Sequence, residues 1–181
     1  MQKKAKMNHA IILAGGIGSR MKLNRPKQYL EVKGKPVFMY SFEKFANHPD
    51  ICSIVMVISE EWKDYVQGCI AKSGCTKHVY YAHAGQSRQH SVLNGLKVLS
   101  GIADENDLVF VHDSVRPLFP LSNIDDAVVE CEKYDATLPV IPVKDATYQS
   151  SDGKTLSSIL PREELFSGQS PECFHYGSCC S

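Results

Sequence analysis

Apolar residues follow two alternating rhythms along the chain. The first is a set of short dense runs: "HAIILA" (His9–Ala14), "CSIVMVIS" (Cys52–Ser59), "KHVYYA" (Lys77–Ala82), "DLVFVHD" (Asp107–Asp113) and "ATLPVIPV" (Ala136–Val143). Runs of this length and composition predict strands buried on both faces. The second rhythm has helical spacing. Phe38, Phe42 and Phe45 recur at i, i+4, i+7, as do Val92, Leu96, Leu99 and Ile124, Val128, Cys131. Each set predicts a helix with one apolar stripe on the core. Ser59 before Glu60-Glu61, and Ser122 before Asp125-Asp126, read as helix starts, where acidic side chains favour the positive end of the dipole. Strands alternating with helices predict an α/β, Rossmann-like fold: a mainly parallel sheet flanked by helices. After Val143 the rhythm breaks. Ser151-Asp152-Gly153 lies between short extended runs and predicts a protruding β-arm over residues 144–165. No internal repeat or low-complexity linker interrupts the pattern, so residues 1–181 read as one domain.

Composition narrows the class of partner. With 181 residues, 43% of them hydrophobic, the chain can bury a sizeable core. Twenty basic residues balance twenty acidic ones, which argues against a nucleic-acid or membrane-surface partner, since those demand a basic excess. Apolar runs such as Ile54–Ile58 are too short to cross a bilayer, and "MQKKAKMNHA" lacks the apolar core of a secretory signal. The expected location is the cytoplasm. Seven cysteines without a C-x-x-C pair indicate neither a zinc knuckle nor a disulfide framework, and are expected to be reduced, buried small apolar residues.

Only local charge is informative, and it concentrates in "IILAGGIGSRMKLNRPKQYL", Ile11–Leu30. Gly15, Gly16 and Gly18 follow the first strand, and Arg20, Lys22, Arg25 and Lys27 come after them with no acid until Glu31. Glycine lets backbone N–H groups approach an anion, and the carboxyl ends of strands are where open α/β sheets bind ligands. The dinucleotide fingerprint fails because Met21 stands where glycine or alanine is needed; the Walker pattern fails for want of Gly-Lys-Ser/Thr. Two readings remain: a tight turn with a solvated basic loop, or a phosphate site with Arg20 and Lys27 folded over one polyphosphate and Pro26 fixing the backbone before Lys27. Asp113, at a strand's carboxyl end, is either a ligand for Mg²⁺ or a brace for Arg116. His112 beside it is read as structural.

The motifs resemble a known family. "LAGGIGSRM" followed by "PKQ" is similar to the sugar-nucleotide nucleotidyltransferases. "AGQSRQHSVLNGL" (Ala84–Leu96), "VHDSVRP" (Val111–Pro117) and "GQSPECF" (Gly168–Phe174) resemble the cytidylyltransferases that act on 2-C-methyl-D-erythritol 4-phosphate or ribitol 5-phosphate, Gly168 leaning to the ribitol branch. The resemblance implies that CTP and a polyol phosphate give a CDP-polyol and pyrophosphate, with Mg²⁺. It implies Arg20 and Lys27 as the catalytic cations, and Ala14, Gly15, Gly16, Gly18, Ser19, Gly85, Gln86, Arg88 and Ser91 around the nucleotide. Backbone groups of Ala14, Gly15 and Gly85 with the Ser91 hydroxyl would meet the base. Arg116, Thr147, Arg162 and Ser170 would meet the acceptor, Asp113 the metal, and the arm would join a homodimer. Three departures stand out. Gln86 replaces an acidic residue of the erythritol-phosphate enzymes. Ala146 replaces a threonine, with Thr147 next to it. The chain ends at "HYGSCCS" where the family continues, which implies a missing C-terminal part, low turnover and exposed apolar surface. A non-catalytic nucleotide-binding remnant or scaffold of the same fold is the alternative.

Overall fold

A computed structural model describes residues 7–16 and 25–179. In chain order the strands and helices are β1 (Asn8–Leu13), β2 (Glu31–Val32), β3 (Lys35–Pro36), α1 (Val37–Asn47), β4 (Ile51–Ile58), α2 (Lys63–Lys72), β5 (His78–His83), α3 (Arg88–Leu99) and β6 (Leu108–Asp113). Then follow α4 (Ser122–Glu130), β7 (Ala136–Thr137), β8 (Val140–Pro142), β9 (Thr147–Gln149), β10 (Ser158–Leu160), β11 (Phe166–Gly168) and β12 (Glu172–His175). Six strands form one sheet in the order β5-β4-β1-β6-β12-β7. β5, β4, β1 and β6 are mutually parallel, and β12 is antiparallel to both its neighbours.

The period-2 geometry of the strands divides the apolar residues between two cores. Ala10 and Ile12, Ile54 and Met56, and Leu108 and Phe110 pack under α1, α2 and α4; Ile11, Val55, Val57, Val109 and Val111 pack under α3. Phe38, Phe42 and Phe45 of α1 are fully buried, each contributing about 1.5–3 kcal/mol of hydrophobic stabilisation. The chain lays down β1, β4 and β5 in one direction, then carries α3 across the opposite face and returns to place β6 on the other side of β1. That reversal opens a crevice at the carboxyl ends of β1 and β6.

Several sequence expectations need correction. The strand expected over Ala136–Val143 is two short pieces: β7 joins the main sheet, whereas β8 pairs with β11 outside it and is exposed. Its apolar side chains therefore do not mark burial in the central sheet. "SPECF" was not read as a strand, yet β12 inserts between β6 and β7 and buries Cys173 completely. Neither Ser59 nor Ser122 caps with its side chain: Ser59 precedes a 3-10 turn (Glu60–Trp62) leading into α2, and Ser122 is the first residue of α4. Of the described cysteines, all unbridged, only Cys131 and Cys173 are buried.

The predicted hairpin is present as β9 and β10, joined through a turn in which the Asp152 carboxylate accepts from the backbone N–H groups of Lys154 and Thr155, both 2.8 Å away. Gly153 supplies a φ of +68° there, which side chains disfavour. No helix among the described residues is long and apolar enough to cross a membrane.

Candidate active site

The crevice holds a cavity of about 730 Å³ lined by Gly15, Gly16, Lys27, Gly85, Gln86, Arg88, Ser91, Asp113 and Arg116, together with Gln28, Ser87 and Ser114. Close approach at two glycines builds its upper wall. A Cβ on Gly15 would lie 2.2 Å from the Ala84 Cβ, and one on Gly85 would lie 2.7 and 2.8 Å from backbone atoms of His90 and Ser91. The loop after β1 therefore touches the loop after β5 only because Gly15 lacks a side chain, and Gly85 lets the latter loop close onto the first turn of α3. The Gly85 N–H donates to Ser91 Oγ at 2.9 Å, and Ser87 caps α3 by accepting from the His90 N–H at 3.1 Å.

Gln28 organises the glycine turn, and sequence reasoning assigned it no role. Only 2% exposed, it donates from Nε2 to the carbonyls of Ala14 and Gly16, each at 2.7 Å. The Tyr29 hydroxyl donates to the same Ala14 carbonyl at 2.7 Å. Burial pushes the Tyr29 phenol up to about 12, so it stays a donor across the ordinary pH range. A trans peptide sets its C=O and N–H on opposite sides, so carbonyls held toward Gln28 aim the Gly15 N–H the other way. The Ala14 N–H donates to the Val57 carbonyl at 2.8 Å and the Ala14 carbonyl accepts from both Gln28 and Tyr29, so its backbone braces the turn.

On the opposite wall, Asp113 ends β6 with an arginine on each carboxylate oxygen: Arg88 Nε to Oδ1 and Arg116 Nε to Oδ2, both at 3.3 Å. Arg88 also pairs through Nη2 with Glu172 Oε1 at 2.8 Å. Glu172 was likewise missed; the one available signal was a carboxylate within a motif segment. Registered opposite Val111 on β12, it stands diagonal to Asp113, and Arg88 at the start of α3 spans the two. The Asp113–Arg116 contact fits the brace reading, and nothing in it prevents the carboxylate from meeting a cation.

Below Asp113 lies a buried relay. Ser41 Oγ donates to the Ser114 carbonyl at 3.1 Å, so it accepts from His112 Nε2–H at 3.1 Å, and Ser170 Oγ donates to His112 Nδ1 at 3.1 Å. Burial pushes the His112 imidazole down to about 4, against the pull of Asp113, so it is neutral and structural, in line with the sequence reading.

The remaining predicted residues are not assembled here. Ser170 is 3% exposed and spends its hydroxyl on His112; it borders a second, largely apolar cavity of about 480 Å³ that shares Arg116 with the first. Thr147 and Arg162 lie at the hairpin and line neither cavity; Arg162 pairs with Glu163. Gly18, Ser19 and Arg20 lie outside the described residues. Among the described residues one grouping brings three metal-ligating side chains together, His48, Asp50 and Asp125, at the far end of α1. There the His48 Nε2 already faces Asp125 at 3.2 Å, and Nδ1 accepts from the Asp50 N–H.

Residues 8–179 match the sequence profile of the 2-C-methyl-D-erythritol 4-phosphate cytidylyltransferases (IspD). The chain belongs to this family. Membership places it among the nucleotidyltransferases. It is 32% identical over 167 residues to a ribitol-5-phosphate cytidylyltransferase of Lacticaseibacillus paracasei, covering 92% of this chain and 71% of that one. It is 34% identical over 173 residues to a 2-C-methyl-D-erythritol 4-phosphate cytidylyltransferase of Clostridium acetobutylicum, covering 95% and 74%. The structure of 4-diphosphocytidyl-2C-methyl-D-erythritol synthase from Anaerococcus prevotii superposes with a TM-score of 0.78 at 25% identity, over 94% of this chain and 70% of the other. The two IspD-type activities are thus matched at nearly the same identity, and the mainly parallel α/β architecture agrees with its structural relatives.

Proposed function

We propose that this member of the IspD family transfers CMP from CTP to a polyol phosphate, ribitol 5-phosphate or 2-C-methyl-D-erythritol 4-phosphate, and releases pyrophosphate. The observation that carries the reading is the cavity at the sheet reversal, where glycine-turn amides and Lys27 share one space with Asp113 and its two arginines. An acceptor phosphate oxygen forms a bond to the α-phosphorus of CTP while the bond to the β-phosphate oxygen breaks and pyrophosphate departs. Both reactants are anions, and negative charge moves onto the leaving oxygen, so cations stabilise the transition state. Lys27 takes that role at the α-phosphate, and Arg20 is assigned the same role on the triphosphate chain. The turn amides from Gly16 through Gly18 to Ser19 receive the pyrophosphate. Gln86, Ser91 and the Gly85 loop hold the base.

Asp113 suits Mg²⁺. It is a hard carboxylate, partly exposed at a strand's end, and would hold such an ion, whose charge would offset that of the triphosphate. Arg116, between the two cavities, is assigned to the acceptor phosphate. Because Thr147 and Arg162 do not line their own chain's cavity, we assign them to that of a second copy in a homodimer. Ser170 acts on the acceptor only through the backbone it fixes by way of His112.

The test is pyrophosphate release with CTP, UTP, ATP and GTP crossed against the two polyol phosphates. Release with CTP and one acceptor only is expected. CTP binding without release for either acceptor would sink the catalytic reading and leave a nucleotide-binding scaffold.

A further inference from the structure

Arg25 belongs to the basic stretch behind the glycines but does not line the cavity. Its guanidinium carbon lies 4.6 Å from the ring centroid of Tyr65 and 5.2 Å from that of Trp62. The rings are themselves held. Trp62 stacks on Tyr29 at 4.5 Å and meets Tyr65 edge-on at 5.7 Å, and Tyr29 packs edge-on against Phe38 at 5.9 Å. The Arg25 Nε is buried and makes no hydrogen bond among the described residues, so the aromatic faces are its principal anchor here. A desolvated cation over such faces is attracted by their quadrupoles, and a planar guanidinium stacks where an ammonium does not.

What the clamp controls is one residue away. Only Pro26, with φ −58° and ψ 141°, separates Arg25 from Lys27. On the far side, Gln28 and Tyr29 are buried and bonded to the glycine-turn carbonyls. The Lys27 backbone is therefore fixed on its exit side by hydrogen bonds and on its entry side by the clamp. We propose that Trp62 and Tyr65, by gripping Arg25, set where Lys27 stands in the cavity, which makes Arg25 a positioning residue. This inference rests on the functional reading above, in which Lys27 stabilises the transition state.

The experiment is a double-mutant cycle. Arg25→Met, which keeps the stem and loses the planar cation, is expected to lower kcat about ten- to a hundredfold, the scale of a misplaced catalytic group. KM for CTP should change little and the far-ultraviolet circular dichroism should be unchanged. Trp62→Phe, which keeps a ring, should retain most of the turnover. In a Lys27→Ala background the Arg25→Met change should cost nothing further, because residues that act as a unit are not additive. An equal loss in that background, or full turnover in Arg25→Met alone, would overturn the proposal.

Trp62 is the only tryptophan of the chain and supplies a readout independent of turnover. Inorganic triphosphate should change its emission in the wild type and not in Lys27→Ala. No change in the wild type, or the same change in both, overturns the clamp. Absence of pyrophosphate release from the wild type overturns the functional reading alone.

Discussion

Asp113 and Lys27 line one cavity with opposite charges, and under the proposed function their substitutions should behave differently. Lys27→Ala removes a preorganised positive charge and should lower kcat by roughly 2.7–4 kcal/mol in the barrier, about 10²–10³-fold, with a smaller effect on CTP affinity. Pyrophosphate-release kinetics separate the two; an unchanged kcat with weaker binding would return Lys27 to ground-state binding. Asp113→Asn keeps the shape but leaves Arg116 without its carboxylate and Arg88 with Glu172 alone. The Mg²⁺ concentration for half-maximal turnover should rise while the melting temperature moves little; a wild-type magnesium titration would leave Asp113 as a brace only. Asp113 stands out in the sequence as a carboxylate ending an apolar run and Lys27 as part of a basic stretch with no acid beside it; that the two line one cavity is what the fold adds. Gln28 was not, since what it does depends on two carbonyls brought to it by the fold. Ser170 was legible only as a hydroxyl near the right motif, and its partner, His112, is far away in sequence.

At the scale of elements, the Ser41–His112–Ser170 relay joins α1, β6 and the segment before β12, and it makes their packing sensitive to acid. The His112 pKa falls from its ordinary 6.5 to about 4 because burial disfavours the cation. Folding therefore favours the neutral ring. That contribution, about 3 kcal/mol, is complete above about pH 6.5 and is lost as pH falls toward about 4. Urea unfolding between pH 7 and 4 should show the loss, and His112→Phe should flatten that part of the profile; an unchanged slope would place the acid sensitivity elsewhere. The loop joining β5 to α3 is sensitive to volume instead. Gly85→Ala puts a methyl group against backbone of the first turn of α3, which cannot yield without moving Arg88 and Ser91. A loss of about 1–3 kcal/mol in stability, read by thermal melting, and weaker nucleotide binding are expected. Periodicity alone placed most of these elements, because strands and helices buried against each other must repeat at 2 and 3.6 residues. It failed over Ala136–Val143, where Leu138, Val140 and Ile141 are apolar yet exposed.

For the whole molecule, the hairpin of β9 and β10 and the strand pair of β8 and β11 stand outside the central sheet and carry exposed Tyr148, Ile159, Ile141 and Phe166. Deleting residues 147–160 in favour of a short glycine linker should leave the sheet folded by circular dichroism and convert the proposed dimer to a monomer in sedimentation; a dimer that survives would remove the hairpin from the interface. The reversal of the sheet has a further consequence, for synthesis. β1 is made first but takes β6 as its second neighbour only after residue 113 exists, and β6 takes β12 only after residue 175. Pairings this distant in sequence close slowly, because the loop entropy is lost before the contacts form. A chain still on the ribosome with β12 unmade carries β6 as a bare, apolar edge, the kind of surface that pairs with another copy of itself. The arrival of β12 is thus what covers that edge from within its own chain.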